Sequence, residues 1–237
     1  MKIFYYLIMG VTLASFNSVR AQKASSEIKI SGAMRNVMKK GELQGTILLD
    51  TIQNKKGLYG IGPKEYLKGE LLIIDGESYV SSMDSNGSIK MEQTFDVKAP
   101  FFVYSNNDNW CEYTLPAHVK NIKDLENFID ELSVTSTRPF VFKLEGIFSK
   151  VKFHIQNLPD GTVVKSPKDA HTGQGKYESD NVLGELVGFF STEHQAIFTH
   201  HDSFIHIHYI NADRSEMGHV DEIFFDSGNP VRLYIQK

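Results

Sequence analysis

The stretch Phe204-Ile-His-Ile-His-Tyr-Ile210 alternates apolar residues with histidines. Alternation at every second position is typical of a β-strand, because successive side chains of a strand point to opposite faces. His206 and His208 therefore share one face, while the apolar residues between them point to the other face and can enter a core. We predict a strand over residues 204–210 that presents two imidazoles on one side.

A third histidine follows this strand. His219 comes eleven residues after His208, beyond a turn-like polar segment that ends in Gly218. A hairpin of that length returns the chain beside the first strand, so His219 can complete a set of three imidazoles. Such a set suits zinc, which imidazole nitrogen binds well. From the spacing alone, a solvated strand face that carries histidines by chance is an equally good interpretation.

A histidine pair at this spacing also begins the metal site of cupin-like barrels. That pattern requires a glutamate about four or five residues after the second histidine. Asp213 stands at that offset here, and Glu216 comes later. A cupin-like barrel is therefore the weaker of the two metal-binding alternatives.

Other local patterns extend the prediction to the rest of the chain. Two apolar runs flank Asp75-Gly76 within residues 67–80, which is typical of a β-hairpin. Apolar residues recur at helical spacing over residues 122–132, and a shorter helix is predicted over residues 34–38, ending near Gly41. Further strands are predicted at residues 46–50, 101–104, 140–156, 182–190 and 231–236.

Many strands with few helices predict an α+β fold. We expect mostly antiparallel or mixed β-sheets in two packed subdomains within residues 22–237, with a seam near residue 135. The composition is ordinary for a globular protein, with 41% hydrophobic and 23% charged residues. The net charge of −4 gives no basic patch for nucleic acid or for a membrane surface. Cys111 is the single cysteine, which excludes an internal disulfide and a cysteine-rich zinc site.

The first residues have the pattern of a secretory signal peptide. Met1-Lys2 precedes an apolar run over residues 3–16, and Val19 and Ala21 stand at the −3 and −1 positions of a cleavage site. The run is shorter than the ~20 residues that span a bilayer. We predict a signal peptide over residues 1–21, with export to the periplasm or the extracellular space and no membrane partner after cleavage.

Five segments in order carry a more specific signal. They are Gly60-Ile-Gly62 with Leu67-Lys-Gly-Glu70, Val97–Phe101, Lys143–Phe148, Asn181–Phe189, and His206-Ile-His208-Tyr209 with Gly218-His219. In these segments, from about residue 31 to the C-terminus, the chain resembles the acetolactate decarboxylase family.

The resemblance implies an acetolactate decarboxylase-like fold, a homodimer and one zinc ion per subunit held by His206, His208 and His219. The implied reaction is decarboxylation of 2-acetolactate to acetoin, with zinc as Lewis acid and electron sink for the enediolate. Glu70 matches the family's active-site glutamate, which suggests that it carries a proton or acts as a partner in the site.

Two departures from the family pattern bear on activity. His154 stands where the family has an active-site arginine, and a histidine holds a carboxylate as a cation only when it is protonated. Lys152 lies one step earlier on the same strand face. The family also contributes a glutamate from a C-terminal tail, and no matching residue is found before Lys237. We therefore predict Glu70 and His154 as catalytic residues. The alternative is a zinc protein of the same fold that has lost decarboxylase activity and binds or converts another hydroxy-carbonyl compound.

Other polar residues near the predicted ligands have weaker patterns. His194, His200 and His201 precede the ligand strand and are interpreted as loop residues. Asp221 or Glu222 could orient a ligand imidazole as a hydrogen-bond acceptor, and a solvated turn is an equally good interpretation.

Overall fold

The computed structural model describes residues 27–237. The predicted signal peptide over residues 1–21 lies outside these residues. The strands are β1 (Lys29–Gly32), β2 (Ile47–Leu48), β3 (Leu58–Pro63), β4 (Glu70–Ile74), β5 (Glu77–Met83), β6 (Ile89–Gln93), β7 (Lys98–Ala99), β8 (Phe101–Asn106), β9 (Trp110–Thr114), β10 (Phe140–Ile155), β11 (Gly175–Phe190), β12 (Ile205–Asn211), β13 (Met217–Phe224) and β14 (Val231–Gln236). The helices are α1 (Met34–Lys40), α2 (Ile122–Leu132) and α3 (Pro167–Ala170).

The strands form two six-stranded sheets and one small two-stranded sheet. The first sheet has the order β1-β8-β3-β4-β5-β6, and the second has the order β11-β12-β13-β10-β14-β9. The pairings between these strands are antiparallel. The predicted α+β class with mostly antiparallel sheets is confirmed.

Strands β10 and β11 form the frame of the second sheet. They pair along their whole length, from Phe140 opposite Phe190 to Ile155 opposite Gly175. On its other edge, β10 pairs first with β14 and then with β13, while β12 joins β13 to β11. Strands β10 to β13 therefore form a closed ring. Its buried side chains include Phe153 and Tyr209, and burial of each such side chain contributes ~1.5–3 kcal/mol.

A shared hydrophobic core joins the two sheets. Ile61 and Leu72 of the first sheet cluster with Val187, Phe189 and Met217 of the second, and all five are buried. This arrangement brings the start of β4 close to β12 and β13, where the histidines lie.

Several predicted elements are confirmed in detail. Helix α2 has the predicted bounds, and the Asn121 side chain caps it by accepting hydrogen bonds from the backbone N–H groups of residues 123 and 124. Helix α1 ends at Gly41, whose φ of 67° gives the left-handed cap that glycine favours. In the hairpin between β4 and β5, Asp75 and Gly76 both have positive φ, as a tight two-residue turn requires.

Other expectations differ from the structure. Of residues 46–50, only Ile47–Leu48 form a strand, because the chain then enters a 3-10 turn over Leu49–Thr51. Strand β11 starts at Gly175, well before residue 182. The chain passes from the first sheet to the second between β8 and β9, so residue 135 lies inside the part that forms the second sheet. The subdomain division stays a prediction. Within residues 27–237, no helix is both long and apolar enough to cross a membrane.

Candidate metal centre

The three predicted ligands lie on the hairpin formed by β12 and β13. His208 is directly opposite His219 in the antiparallel register, and His206 is two residues before His208 on the same face. Their exposed fractions are 2% for His206, 0% for His208 and 9% for His219. Burial this complete excludes a solvated strand face as the explanation for these histidines.

The Nε2 atoms of these imidazoles lie close to other imidazole nitrogens. His206 Nε2 lies 3.2 Å from His208 Nε2, and His219 Nε2 lies 3.0 Å from Nε2 of His200, a fourth histidine. The Nδ1 atoms of His206, His208 and His219 are buried. The backbone of Phe198 hydrogen-bonds to His206, and the backbone of Leu71 hydrogen-bonds to His208. Buried imidazoles that face one another through their Nε2 atoms are groups that could hold a divalent metal ion, which would accept their lone pairs.

Burial also sets the charge state of the predicted ligands. It lowers the pKa of His208 to about 3, and it lowers the pKa of His206 and of His219 well below the ordinary value. All three imidazoles are therefore neutral at neutral pH, which is the form that binds a metal.

A second group of donor atoms overlaps this set. One donor atom from each of His154, His219 and Asp221 lies within 4.8 Å of the other two. His154 stacks on His219 with ring centroids 4.6 Å apart, and Asp221 Oδ1 is 2.7 Å from His154 Nδ1 and 3.9 Å from His219 Nδ1. Asp221 is half-exposed and already holds His154 in a hydrogen bond. The two candidate sets of donor atoms share His219.

Asp221 lies at a β-bulge. Lys152 pairs with Glu222 and Phe153 pairs with Val220, so Asp221, the residue between them on β13, has no partner on β10. Its side chain contacts His154, and because an ionised carboxylate only accepts hydrogen bonds, the proton between them is on His154 Nδ1.

Glu70 reaches the histidines from the first sheet. It is the first residue of β4 and is only 2% exposed. The backbone N–H of Gln156 donates to Glu70 Oε1 at 3.2 Å, while Glu70 Oε2 lies 3.7 Å from His208 Nε2. Burial raises the pKa of Glu70 well above its ordinary value.

The structure thus brings the predicted residues Glu70, His154, His206, His208 and His219 together, although their chemical roles stay predictions. Lys152 is not available to replace the family arginine, because its amine pairs with Glu222 at 3.0 Å on the surface. The sequence analysis interpreted His200 only as a loop residue. In the structure the loop over residues 191–204 places His200 against His219. The dense spacing of histidines between residues 194 and 219 was the available signal.

Three cavities meet at this cluster. A small cavity of about 20 Å³ is lined by Glu70, His154, His200, His206 and His219 among others. A larger cavity of about 540 Å³ is lined by His154, His200, Asp221 and Lys176 among others, and it opens toward solvent. A third cavity of about 320 Å³ lies on the α2 side and is lined by His200, His206 and His219 among others.

Comparison with known proteins gives a consistent result. A family model described as alpha-acetolactate decarboxylase matches residues 31–235. An alpha-acetolactate decarboxylase from Brevibacillus brevis is 26% identical over 215 residues, which cover 90% of this chain and 72% of that protein. One from Methanosarcina mazei is 29% identical over 175 residues, which cover 73% of this chain and 58% of that protein.

Solved structures resemble the fold over most of its length. The crystal structure of alpha-acetolactate decarboxylase from Bacillus subtilis strain 168 superposes with a TM-score of 0.73 at 25% identity, covering 89% of this chain and 85% of that one. A protein of unknown function from Staphylococcus aureus, described as similar to alpha-acetolactate decarboxylase, superposes with a TM-score of 0.72 at 20% identity, covering 88% of this chain and 84% of that one. The second likeness concerns the fold alone.

Proposed function

Because the chain belongs to the alpha-acetolactate decarboxylase family, we propose that it decarboxylates 2-acetolactate to acetoin with one zinc ion held by His206, His208 and His219. Family membership supports a carboxy-lyase acting on acetolactate in general. The observation that carries the finer proposal is the juxtaposition of three buried, neutral imidazoles on β12 and β13 with the buried carboxyl group of Glu70.

When bound, a divalent ion on neutral imidazoles supplies a Lewis acid and an electron sink for the electrons left behind by carbon dioxide. The remaining work falls to the protein's own residues. Burial of the cluster excludes bulk water and fixes the histidine side chains before the substrate arrives.

Glu70 is the residue to which we assign proton transfer. Loss of carbon dioxide leaves a carbon that takes up one proton to give acetoin. The carboxyl group of Glu70 lines the small inner cavity beside the predicted ligands. Its Oε1 is held by the Gln156 N–H, so Oε2 is the oxygen that faces the reacting atoms.

His154 is the residue to which we assign the substrate carboxylate. Its Nδ1 donates to Asp221, which leaves Nε2 as the nitrogen available to an incoming group. Stacking on His219 holds the ring beside the predicted ligands. A protonated His154 offers a carboxylate one charged hydrogen bond, where an arginine would offer two in a fork.

The substitution at this position also supports a second candidate function. A weaker carboxylate contact favours a hydroxy-carbonyl compound other than acetolactate, or binding without turnover. The same metal ligands and the same Glu70 would serve either function, so only the substrate and the rate distinguish the two.

The test is acetoin and carbon dioxide release from racemic 2-acetolactate by the zinc-loaded protein. The double variant His206→Ala/His208→Ala is the blank, and His201→Ala is a matched control, because His201 is an exposed neighbour of the cluster. Turnover well above the blank, retained in the control, supports the decarboxylase. Stoichiometric zinc without turnover overturns it in favour of the second candidate.

Two parts of the proposal rest on sequence patterns and the family resemblance. We propose that the protein is exported after removal of residues 1–21, and that it forms a homodimer that binds a small 2-hydroxy-3-oxo acid. N-terminal sequencing of the protein from the cell envelope or the medium tests export: a mature chain that starts near Gln22 supports it. Light scattering of the purified protein tests the homodimer, and a monomeric mass overturns it.

A further inference from the structure

His200 is placed like a metal ligand although it lies outside the predicted set. It stands in the loop between β11 and β12, and its Nε2 lies 3.0 Å from His219 Nε2. Its ring centroid is 5.0 Å from that of His219 and 6.3 Å from that of His206. The neighbouring His201, by contrast, has a side chain that is 84% exposed.

The Nε2 separations are close to the spacing of two imidazole nitrogens on one ion. With zinc–nitrogen bonds of about 2.0–2.1 Å, two nitrogens on the same tetrahedral ion are about 3.3–3.4 Å apart. The pairs His206–His208 and His200–His219 have Nε2 separations of 3.2 and 3.0 Å. The ring centroids of His206 and His219 are 5.0 Å apart, so the two pairs are neighbours.

We propose that His200 is a fourth imidazole ligand of the metal in the substrate-free protein, and that the substrate replaces it. The inference rests on the proposed metal site and goes beyond it, because it assigns a resting state in which that site is closed. The exchange is a ligand substitution: neutral imidazole leaves, oxygen atoms of the substrate take its place, and no covalent bond of the protein is made or broken.

The cavities explain why His200 must move. The inner cavity of about 20 Å³ has room for about one water molecule and none for a five-carbon acid. His200 lines this cavity, the larger one of about 540 Å³ and a third of about 320 Å³ on the α2 side. Withdrawal of its ring therefore joins the inner cavity to the outer ones.

The loop that carries His200 is anchored on both sides of it. Ser191 Oγ and His194 Nδ1 are 2.7 Å apart on the β11 side, and Glu126 accepts hydrogen bonds from Ser203 and Phe204 on the β12 side. Within residues 27–237, the side chain of His200 hydrogen-bonds to His219. The ring can therefore swing out while the ends of the loop stay fixed.

Long-range proton–nitrogen NMR of the zinc-loaded protein, labelled with ¹⁵N-histidine, tests this proposal. We expect zinc-bound nitrogens on His200, His206, His208 and His219, assigned by single variants. His200→Ala loses one of the four signals, and the matched control His201→Ala keeps all four. The probe for the substrate is the alcohol formed by reducing the keto group of acetolactate, because it retains the hydroxy-acid oxygens. We expect its addition to return the chemical shift of the His200 nitrogen to the unbound value.

Zinc affinity, measured by competition with a chelator, gives an independent readout. We expect His200→Ala to bind zinc about 10–100-fold more weakly, and His201→Ala to be unchanged. If the wild-type spectrum shows zinc-bound His206 and His208 but an unbound His200, the role of His200 is overturned and the proposed metal site is not. This result does not depend on whether His200→Ala folds. Unbound nitrogens on all four histidines overturn the proposed metal site itself.

Discussion

Asp221 accepts a hydrogen bond from His154 at 2.7 Å, across the paired strands β13 and β10. Asp221 is two residues from His219, which pairs directly with His154, so the three side chains share one face of the sheet. The His154 ring also stacks on His219, and these two contacts together fix its orientation.

Asp221→Asn keeps the shape of the side chain but removes its charge. We expect kcat/KM for acetolactate to fall about 10–100-fold, mainly through KM, because His154 loses the charged acceptor that holds its ring in place. Steady-state acetoin formation measures this. Glu222→Gln is the matched control, since Glu222 pairs with Lys152 on the surface, and it should stay within about twofold. An unchanged KM in Asp221→Asn would contradict the assignment of His154 to the substrate carboxylate.

Glu70→Gln removes the proposed proton donor while keeping its size and its hydrogen bond from Gln156. We expect kcat to fall about 10²–10⁴-fold with one zinc per chain retained, because the missing step is proton transfer. Acetoin rates and metal analysis of the same sample measure both quantities. A variant that loses zinc in proportion to activity would make Glu70 part of the metal site instead.

The buried carboxylate of Glu126 should make stability depend on pH. Burial raises its pKa, but hydrogen bonds from Lys123, Ser203 and the Phe204 N–H more than offset this, and the net shift is downward. A folded-state pKa below the unfolded value gives stability that is present above the unfolded pKa and lost as the pH falls through the folded pKa.

Urea unfolding of Glu126→Gln measures this contribution. We expect the variant to be less stable than the wild type by about 1–2 kcal/mol at pH 7, and the difference to shrink below about pH 4. Glu131→Gln, an exposed position on the same helix, is the control and should show no such loss. A difference that is constant from pH 7 to pH 3 would rule out the charge of Glu126 as its source.

Gly69 holds the backbone that positions Glu70. Its φ is +149°, and a Cβ there would lie 2.2 Å from the Ser81 carbonyl oxygen. We expect Gly69→Ala to lower the free energy of unfolding by about 2–3 kcal/mol and to reduce acetoin formation. Gly87 also has a positive φ, but nothing lies within 4 Å of a Cβ added there. We therefore expect Gly87→Ala to lower the free energy of unfolding by only about 1 kcal/mol and to leave activity unchanged. Equal losses in the two variants would exclude the close approach to Ser81 as the cause.

The elements predicted well from sequence are those whose signal is local. The hairpin at Asp75-Gly76, helix α2 and the strand with His206 and His208 each carry a complete pattern within about ten residues. The extension of β11 back to Gly175 has no such pattern, because residues 175–183 are mostly polar and become a strand only through pairing with β10.

The candidate site also contains residues with a local sequence signal and residues without one. Two histidines on one strand and a third after a short turn follow from alternation and hairpin length. The contact of His200 with His219 depends on a loop conformation, which has no periodic signature. The bulge at Asp221 has none either. The meeting of Glu70 with His208 depends on the packing of two sheets, and in this chain only the family resemblance anticipated it.

The position of the ligands on a single hairpin has a consequence for the order of folding. His206, His208 and His219 lie within fourteen residues of chain, so their approach requires closure of one short loop, which is fast and entropically cheap. Glu70 and His154 come from distant segments and join only after non-local strand pairing, the slow part of folding for β-rich chains. On the proposed assignment, a nascent chain would bind its metal ion on the hairpin before the two sheets meet. The ion would then be a nucleus around which the remaining groups assemble.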